Sequence, residues 1–596
     1  MSSIVNDFSI TIATVNGSGS QTANTILLRA LFKMGIPVSG KNLFPSNIQG
    51  LPTWYTIRVN KDGFTARRDE HEIVVSINPT SFARDLARVL PGGAFFYADD
   101  IKLPIGRADI SLYPMPVKQL ASVADVSPKL RDYIANMVYV GVLAQMLGID
   151  LEKIRQGLDY HFGGNAKAVA SNFATVKAAA DWASQNLTKN DPFCVEPMDK
   201  TAGLIMADGN TAAALGAIYG GVQFVAWYPI TPATSLAETM NEYLPKLRRN
   251  AEGKNTYAVV QAEDELAAIG MAIGAGWAGL RSMTSTSGPG LSLMTEYAGL
   301  AYYAEVPLVI WDVQRIGPST GLPTRTSQGD LTFTYFMGHG DTQQVILLPG
   351  SVNECFEFGW RAFDLAERLQ TSIFVLSDLD FGMNQWMTEP FAYPDQPLDR
   401  GKILWEKDLE KTNGVWARYK DVDGDAIPYR TLPGNKHPAA AWFGRGTGHD
   451  ENARYSEEAE TWEANMARLR RKFDTARTFV PKPVIETVEG AEIGIIAYGS
   501  TIPAVEEARV LLQQANGPKS SFLRLRALPC TEEVHEFVRN HQRVYVVEAN
   551  RDGQLRQILC MTMPEHGHKL IPACHSDGLP LTAGWVKETI LAQEAK

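Results

Sequence analysis

Four short stretches of this 596-residue chain combine residue types that could do chemistry. The first, Glu263-Asp-Glu265, opens a helical pattern that is otherwise small and apolar, Ala267 to Gly279. Acidic residues at a helix N-terminus favour the macrodipole, and capping alone would account for any one of them. A helix this apolar is expected to be buried, so at least one of the carboxylates should sit in a low-dielectric setting. Such a carboxyl can have a raised pKa and share a proton with a ligand nitrogen.

The second stretch, Tyr228-Pro-Ile-Thr-Pro-Ala-Thr-Ser235, follows an apolar strand. Two prolines stiffen it, and the hydroxyls of Thr231, Thr234 and Ser235 fall at the strand's carboxyl end, where open α/β sheets bind ligands. The same hydroxyls could simply cap the next helix. In the third, Arg315-Ile-Gly-Pro-Ser-Thr-Gly-Leu-Pro-Thr324, a guanidinium stands after another strand. It could clamp a carboxylate with two parallel hydrogen bonds or pair with an acidic neighbour. The fourth is the turn Gly17-Ser18-Gly19-Ser20 after the first strand. A dinucleotide fingerprint needs a third glycine where Thr22 stands, yet backbone amides at a helix N-terminus can still hold a phosphate.

These groups need elements to position them. Phe8 to Thr14 reads as a strand, followed by the glycine turn and a helix, a βα opening of a doubly wound sheet. From about residue 200 the strand candidates are unbroken apolar runs: Phe224–Trp227, Tyr257–Val260, Val306–Trp311, Val345–Leu348 and Ile373–Leu376. Runs without alternation suit parallel strands covered on both faces. Later candidates are Ile493–Ala497, Phe522–Leu525 and Val544–Val547. The expected fold class is therefore α/β, multidomain, with parallel sheets. The expected domains are residues 1–190, 200–390, a linker or insert at 391–486, and 487–596. Within the insert, Arg468-Leu-Arg-Arg-Lys472 reads as a solvated helix face. Asp421-Val-Asp-Gly-Asp425 is not a calcium loop, since Leu432 occupies the place of the closing glutamate.

Composition narrows the function. A net charge of −10 argues against nucleic acid and anionic membranes as main partners. The uncharged segment Asn210 to Ala237 holds Pro229 and Pro232 and reads as buried core rather than a membrane span. The first ten residues lack a basic start followed by an apolar stretch, so no signal peptide is expected, and five scattered cysteines fit a cytoplasmic location.

Further segments join the four stretches: Thr286-Ser-Gly-Pro-Gly290, Arg430-Thr-Leu-Pro-Gly434, Gly446-Thr-Gly-His-Asp-Glu451 and Glu548-Ala-Asn-Arg-Asp-Gly-Gln554. In this order they resemble the alpha subunit of 2-oxoacid:ferredoxin oxidoreductases, in the form with a gamma domain fused ahead of alpha. Ser20 and Thr22 depart from the family's turn, where glycines are common. The resemblance implies a gamma-type α/β domain, a pyrimidine-binding domain like that of thiamine diphosphate enzymes, and a transketolase C-terminal-like domain. It implies that Glu265, five residues before Gly270, hydrogen-bonds the aminopyrimidine of thiamine diphosphate, with Tyr228, Pro229 and Ile230 beside the cofactor. Thr231 and Arg315 would hold the substrate, and Gly17, Ser18, Gly19 and Ser20 would contact coenzyme A.

The implied reaction is the reversible, coenzyme A-dependent oxidative decarboxylation of a 2-oxoacid. The Arg430 and His449 segments resemble the two-subunit enzymes that take 2-oxoglutarate to succinyl-CoA, with pyruvate or a broad range as the alternative. The sequence lacks the Gly-Asp-Gly segment that fixes Mg²⁺ and the diphosphate, and has no cysteine quartet for a [4Fe–4S] cluster. Both are expected on a beta subunit, in a dimer of heterodimers served by ferredoxin. A nicotinamide- or flavin-dependent dehydrogenase and a non-catalytic assembly subunit are the readings from other classes.

Overall fold

A computed structural model describes residues 3–595 other than 47–49, 103, 105, 124 and 125. The chain divides into two compact units: Met1–Ala207 with Asn384–Pro390 and Thr582–Trp585, and Asp208–Met383 with Phe391–Leu581 and Val586–Lys596.

The first unit is built on a six-stranded sheet in the order Val38–Leu43, Pro52–Asn60, Asp7–Val15, His71–Ser76, Val89–Ala98, Ser111–Met115. The first three strands run antiparallel and the remaining neighbours parallel. Asp7–Val15 lies inside the sheet, which is why seven of its nine residues are buried with little alternation. Helix Ser20–Lys33 packs Ile26, Leu27 and Leu31 into the same core as helix Met137–Leu147.

The second unit holds two sheets. Its seven-stranded sheet runs Ala258–Gln261, Phe224–Trp227, Ser282–Thr286, Leu308–Gln314, Ser372–Asp378, Val345–Leu347, Ala527–Leu528. All neighbours are parallel except the last pair. Every residue of Leu308–Gln314 and of Ser372–Asp378 is buried, as strands covered on both faces must be. A five-stranded sheet, Val484–Glu486, Ser520–Arg524, Ile493–Ala497, Arg543–Glu548, Leu570–Cys574, is parallel apart from its first pair.

Two expectations need correction. Arg468 and Lys472 are not on a solvated helix face. They lie four residues apart on helix Ala459–Ala476, hence on one side of it, and both are buried. Arg468 Nη1 and Lys472 Nζ reach the fully buried Glu305 carboxylate at 3.1 and 2.7 Å. Only Arg470 and Arg471 face outward. Secondly, helix Glu265–Trp277 is not buried all round: Leu266, Met271 and Trp277 are exposed, as are Leu293 and Tyr297 on the neighbouring helix Gly288–Tyr303. No helix among the described residues is long and apolar enough to cross a membrane.

Candidate active site

Four adjacent parallel strands of the seven-stranded sheet deliver the candidate residues to one edge. Register places Trp227 beside Gln261 and Thr286 beside Asp312, so their carboxyl ends coincide. Thr231 follows the Phe224 strand, Glu265 the Ala258 strand, Gly288 the Ser282 strand and Arg315 the Leu308 strand. Three of the four sequence-selected stretches therefore converge. The fourth, Gly17 to Ser20, belongs to the first unit.

Asp264 caps helix Glu265–Trp277 by accepting from the Ala267 amide at 2.7 Å. That fixes the first turn and turns Glu265 inward, where it is 7% exposed. A Cβ on Gly290 would stand 2.9 Å from Glu265 Cγ and 1.9 Å from Thr286 Oγ1, so only glycine lets the carboxyl lie there. Among the described residues no donor holds the Glu265 carboxylate. Its oxygens are not among the buried atoms left without a partner, so they open toward solvent, where a bound ligand can supply the donor.

Arg315 reaches across the edge. Its Nη1 donates to the Thr231 carbonyl at 2.7 Å and its Nη2 to the Thr320 carbonyl at 2.9 Å. Its Nε, buried, meets no acceptor among the described residues. Burial lowers the Arg315 pKa, opposed by the charges of Asp330 and Glu265. The Thr231 turn is held from beneath by Asn210, whose Nδ2 donates to the Pro232 carbonyl and to Ser235 Oγ, each at 2.8 Å. Tyr228 and Pro229 are exposed at the rim, and Ile230 and Thr231 are half-buried.

A cavity of about 720 Å³ opens beside Arg315, bordered by Gly288, Thr320, Asp330, Asn550 and Arg551. In its wall lies a feature not picked out from the sequence: the carboxyls of Asp312 and Asp330 meet, and burial raises both pKa values, Asp330 up to about 7. Asp312 interrupts a run of apolar residues in a buried strand, and that interruption was the available signal. Gly290 stood in the Thr286–Gly290 segment without its role showing, and Asn210 carried no signal, because both depend on neighbours distant in sequence.

In the first unit, Gly17 and Gly19 have φ of 84° and 79°, the left-handed region open to glycine. The Ser18 carbonyl accepts from Asn136 Nδ2 at 2.8 Å. The buried Ser20 hydroxyl accepts from Thr14 Oγ1 at 2.8 Å, which turns it toward the sheet.

Residues 215–409 match the family model for pyruvate flavodoxin/ferredoxin oxidoreductase, thiamine diphosphate-binding, and residues 9–182 match that for pyruvate ferredoxin/flavodoxin oxidoreductase. The alpha subunit of 2-oxoacid:ferredoxin oxidoreductase 2 from Aeropyrum pernix is 29% identical over 93% of this chain and 92% of its own. The 2-oxoglutarate synthase subunit KorA from Methanothermobacter marburgensis is 37% identical over 57% of this chain and 87% of its own. Among solved structures, the 2-oxoglutarate:ferredoxin oxidoreductase from Magnetococcus marinus, with 2-oxoglutarate, coenzyme A and succinyl-CoA bound, superposes with a TM-score of 0.87. It is 30% identical, covering 99% of this chain and 100% of that one.

Proposed function

The chain belongs to the alpha subunits of the 2-oxoacid:ferredoxin oxidoreductases, and on that premise we propose that Thr231, Glu265 and Arg315 form the pyrimidine and substrate side of a thiamine diphosphate site acting on 2-oxoglutarate. The observation that carries this reading is the nearly buried Glu265 side chain, its carboxyl free of donors among the described residues and cradled by Gly290, on the same sheet edge as Arg315.

The residues present fit the cofactor: a carboxyl awaiting a hydrogen-bond partner suits a ring nitrogen, and Tyr228, Pro229 and Ile230 offer an apolar border. Thiamine diphosphate, when bound, supplies a carbon nucleophile for the keto carbon of the substrate. Glu265 holds or shares a proton at the pyrimidine ring nitrogen and so fixes the ring's tautomer. Arg315, anchored on two carbonyls, receives the substrate carboxylate, and the Thr231 hydroxyl receives the adjacent oxygen. The Gly17 to Ser20 turn contacts coenzyme A.

The preference for 2-oxoglutarate draws on the named substrates of the Methanothermobacter and Magnetococcus proteins. A beta subunit completes the centre with Mg²⁺, the diphosphate site and the [4Fe–4S] cluster, and docks on the exposed apolar face of Leu266, Met271, Trp277, Leu293 and Tyr297. An acidic ferredoxin would be repelled by the charge of −10 on this chain and would dock on that partner. The assembly is a dimer of heterodimers in the cytoplasm.

The test is the assembled complex, assayed for coenzyme A-dependent ferredoxin reduction. Turnover with 2-oxoglutarate well above that with pyruvate is expected. Equal rates would remove the substrate preference, and no rate with either would remove the activity.

A further inference from the structure

Asp312 is fully buried near the end of strand Leu308–Gln314, and no donor among the described residues reaches either oxygen of its carboxyl. What it meets is the carboxyl of Asp330, whose Oδ2 is likewise buried without a donor. Two adjacent carboxylates in a low dielectric, with no cation between them, cannot both ionise, so they must share a proton. Asp312 is the inner member. Asp330 is the outer one, partly exposed and lining the cavity beside Arg315, with oxygens 2.7 and 2.9 Å from where a Cβ on Gly288 would stand.

The surroundings leave the pair few charges to answer to. Neighbouring strands set Thr286 and Leu376 opposite Asp312. Helix Gly288–Tyr303 presents the glycine that begins it. The turn Leu331–Tyr335 starts directly after Asp330 with apolar residues and threonines. From the carboxy-terminal part of the unit, the buried Tyr498 feels the Asp330 charge. Asp378, opposite Gln314, is occupied by Ser500. Arg551 and Asp552 pair with each other at the far rim. Arg315 is the cation that feels Asp330, and it feels Glu265 as well.

We propose that Asp312 and Asp330 act as one proton-sharing carboxyl pair that takes up a second proton when an anionic substrate carboxylate docks on Arg315. With one proton, the pair carries a single negative charge beside the guanidinium, which Glu265 also faces. A docking carboxylate brings a further negative charge to the same guanidinium and leaves the buried array net negative. Uptake of one proton from solvent neutralises the pair and offsets the added charge, with no bond broken in the substrate. Binding is thereby linked to protonation. The inference rests on the reading that Arg315 holds the substrate carboxylate.

The experiment is calorimetric binding of N-oxalylglycine, a 2-oxoglutarate analogue, to the assembled complex at pH 7 in two buffers of different ionisation enthalpy. Net proton uptake is expected, read as a difference in the observed binding heat between the two buffers. Asp330→Asn and Asp312→Asn should each retain binding and abolish the buffer dependence. Asp330→Asn, at the cavity wall, serves if the buried Asp312→Asn chain does not fold. Buffer-independent heats in the unmodified complex would overturn the proposal, as would uptake that survives in the Asn variants. The two readings separate through Arg315→Gln. If that variant binds the analogue as tightly as the unmodified complex, the carboxylate reading fails and the proposal with it. If Arg315→Gln weakens binding while the unmodified complex takes up no proton, the pair proposal alone fails.

Discussion

Glu305 and Glu265 are buried carboxylates in the same unit, and their surroundings are opposites. Glu305, fully buried, is met by Arg468 and Lys472 from a helix more than 160 residues away, and also feels Arg418. These cations outweigh desolvation and hold its pKa down to about 2. Lys472, competing with two guanidiniums for one carboxylate, is pushed down by burial to about 8. Glu265 is packed by a glycine, and Arg315, the cation that feels it, donates to two backbone carbonyls instead. The contrast teaches that a carboxylate gripped by cations of the chain itself fastens parts of the fold together, whereas one that no donor grips is available to a ligand. Asp312 and Asp330 fall on the second side.

The largest expected effect separates the two glutamates by function. Glu265→Gln in the assembled complex should lower turnover about 10²- to 10⁴-fold, the usual worth of a positioned acid–base group, with an unchanged denaturation midpoint. Unaffected turnover would leave Glu265 without a catalytic role and collapse the contrast. Glu305→Gln should do the reverse. Leaving Arg468 and Lys472 buried without their carboxylate should cost about 3–5 kcal/mol of stability in denaturant titration of the full chain. A loss below about 1 kcal/mol would mean the cluster is no anchor.

Smaller effects sharpen the picture. Arg315→Gln removes a charged hydrogen-bonding partner worth about 1.5–3 kcal/mol, so KM for the 2-oxoacid should rise about 10- to 100-fold. A fall in kcat alone, with KM unmoved, would assign Arg315 to something other than substrate binding.

The smallest effect is in pH slopes, and the signs differ. The folded pKa of Glu305 is depressed below its unfolded value of 4.5, so its stabilisation is present above that value and is lost as pH falls toward 2. Asp330 is raised above 3.8, so its contribution is present below that value and is lost as pH rises through about 7. Stability measured from pH 3 to 8 should lose its acid limb in Glu305→Gln and its decline toward neutrality in Asp330→Asn. Identical profiles for both variants would erase the distinction.

Much of the scaffold was legible in the sequence. The strands Phe224–Trp227 and Ile493–Ala497 fall where their apolar runs place them, because turn residues bound both ends. Leu308–Gln314 runs past its expected end at Trp311. There Asp312 breaks the apolar signal, and the break marks the site rather than the strand's end. The Glu265 helix misled in a different way: apolar residues on all sides read as full burial, yet one face is open, and what covers such a face need not be encoded in the same chain. The Arg468 cluster read as surface because local charge density cannot reveal a partner as distant as Glu305.

On this reading the chain carries one side of a thiamine site and depends on another chain for the rest. Co-purification of the full-length chain from its native host tests that most directly. A brown complex with a second chain, containing thiamine diphosphate and iron, is expected. A chain that elutes alone and binds no thiamine diphosphate would contradict it.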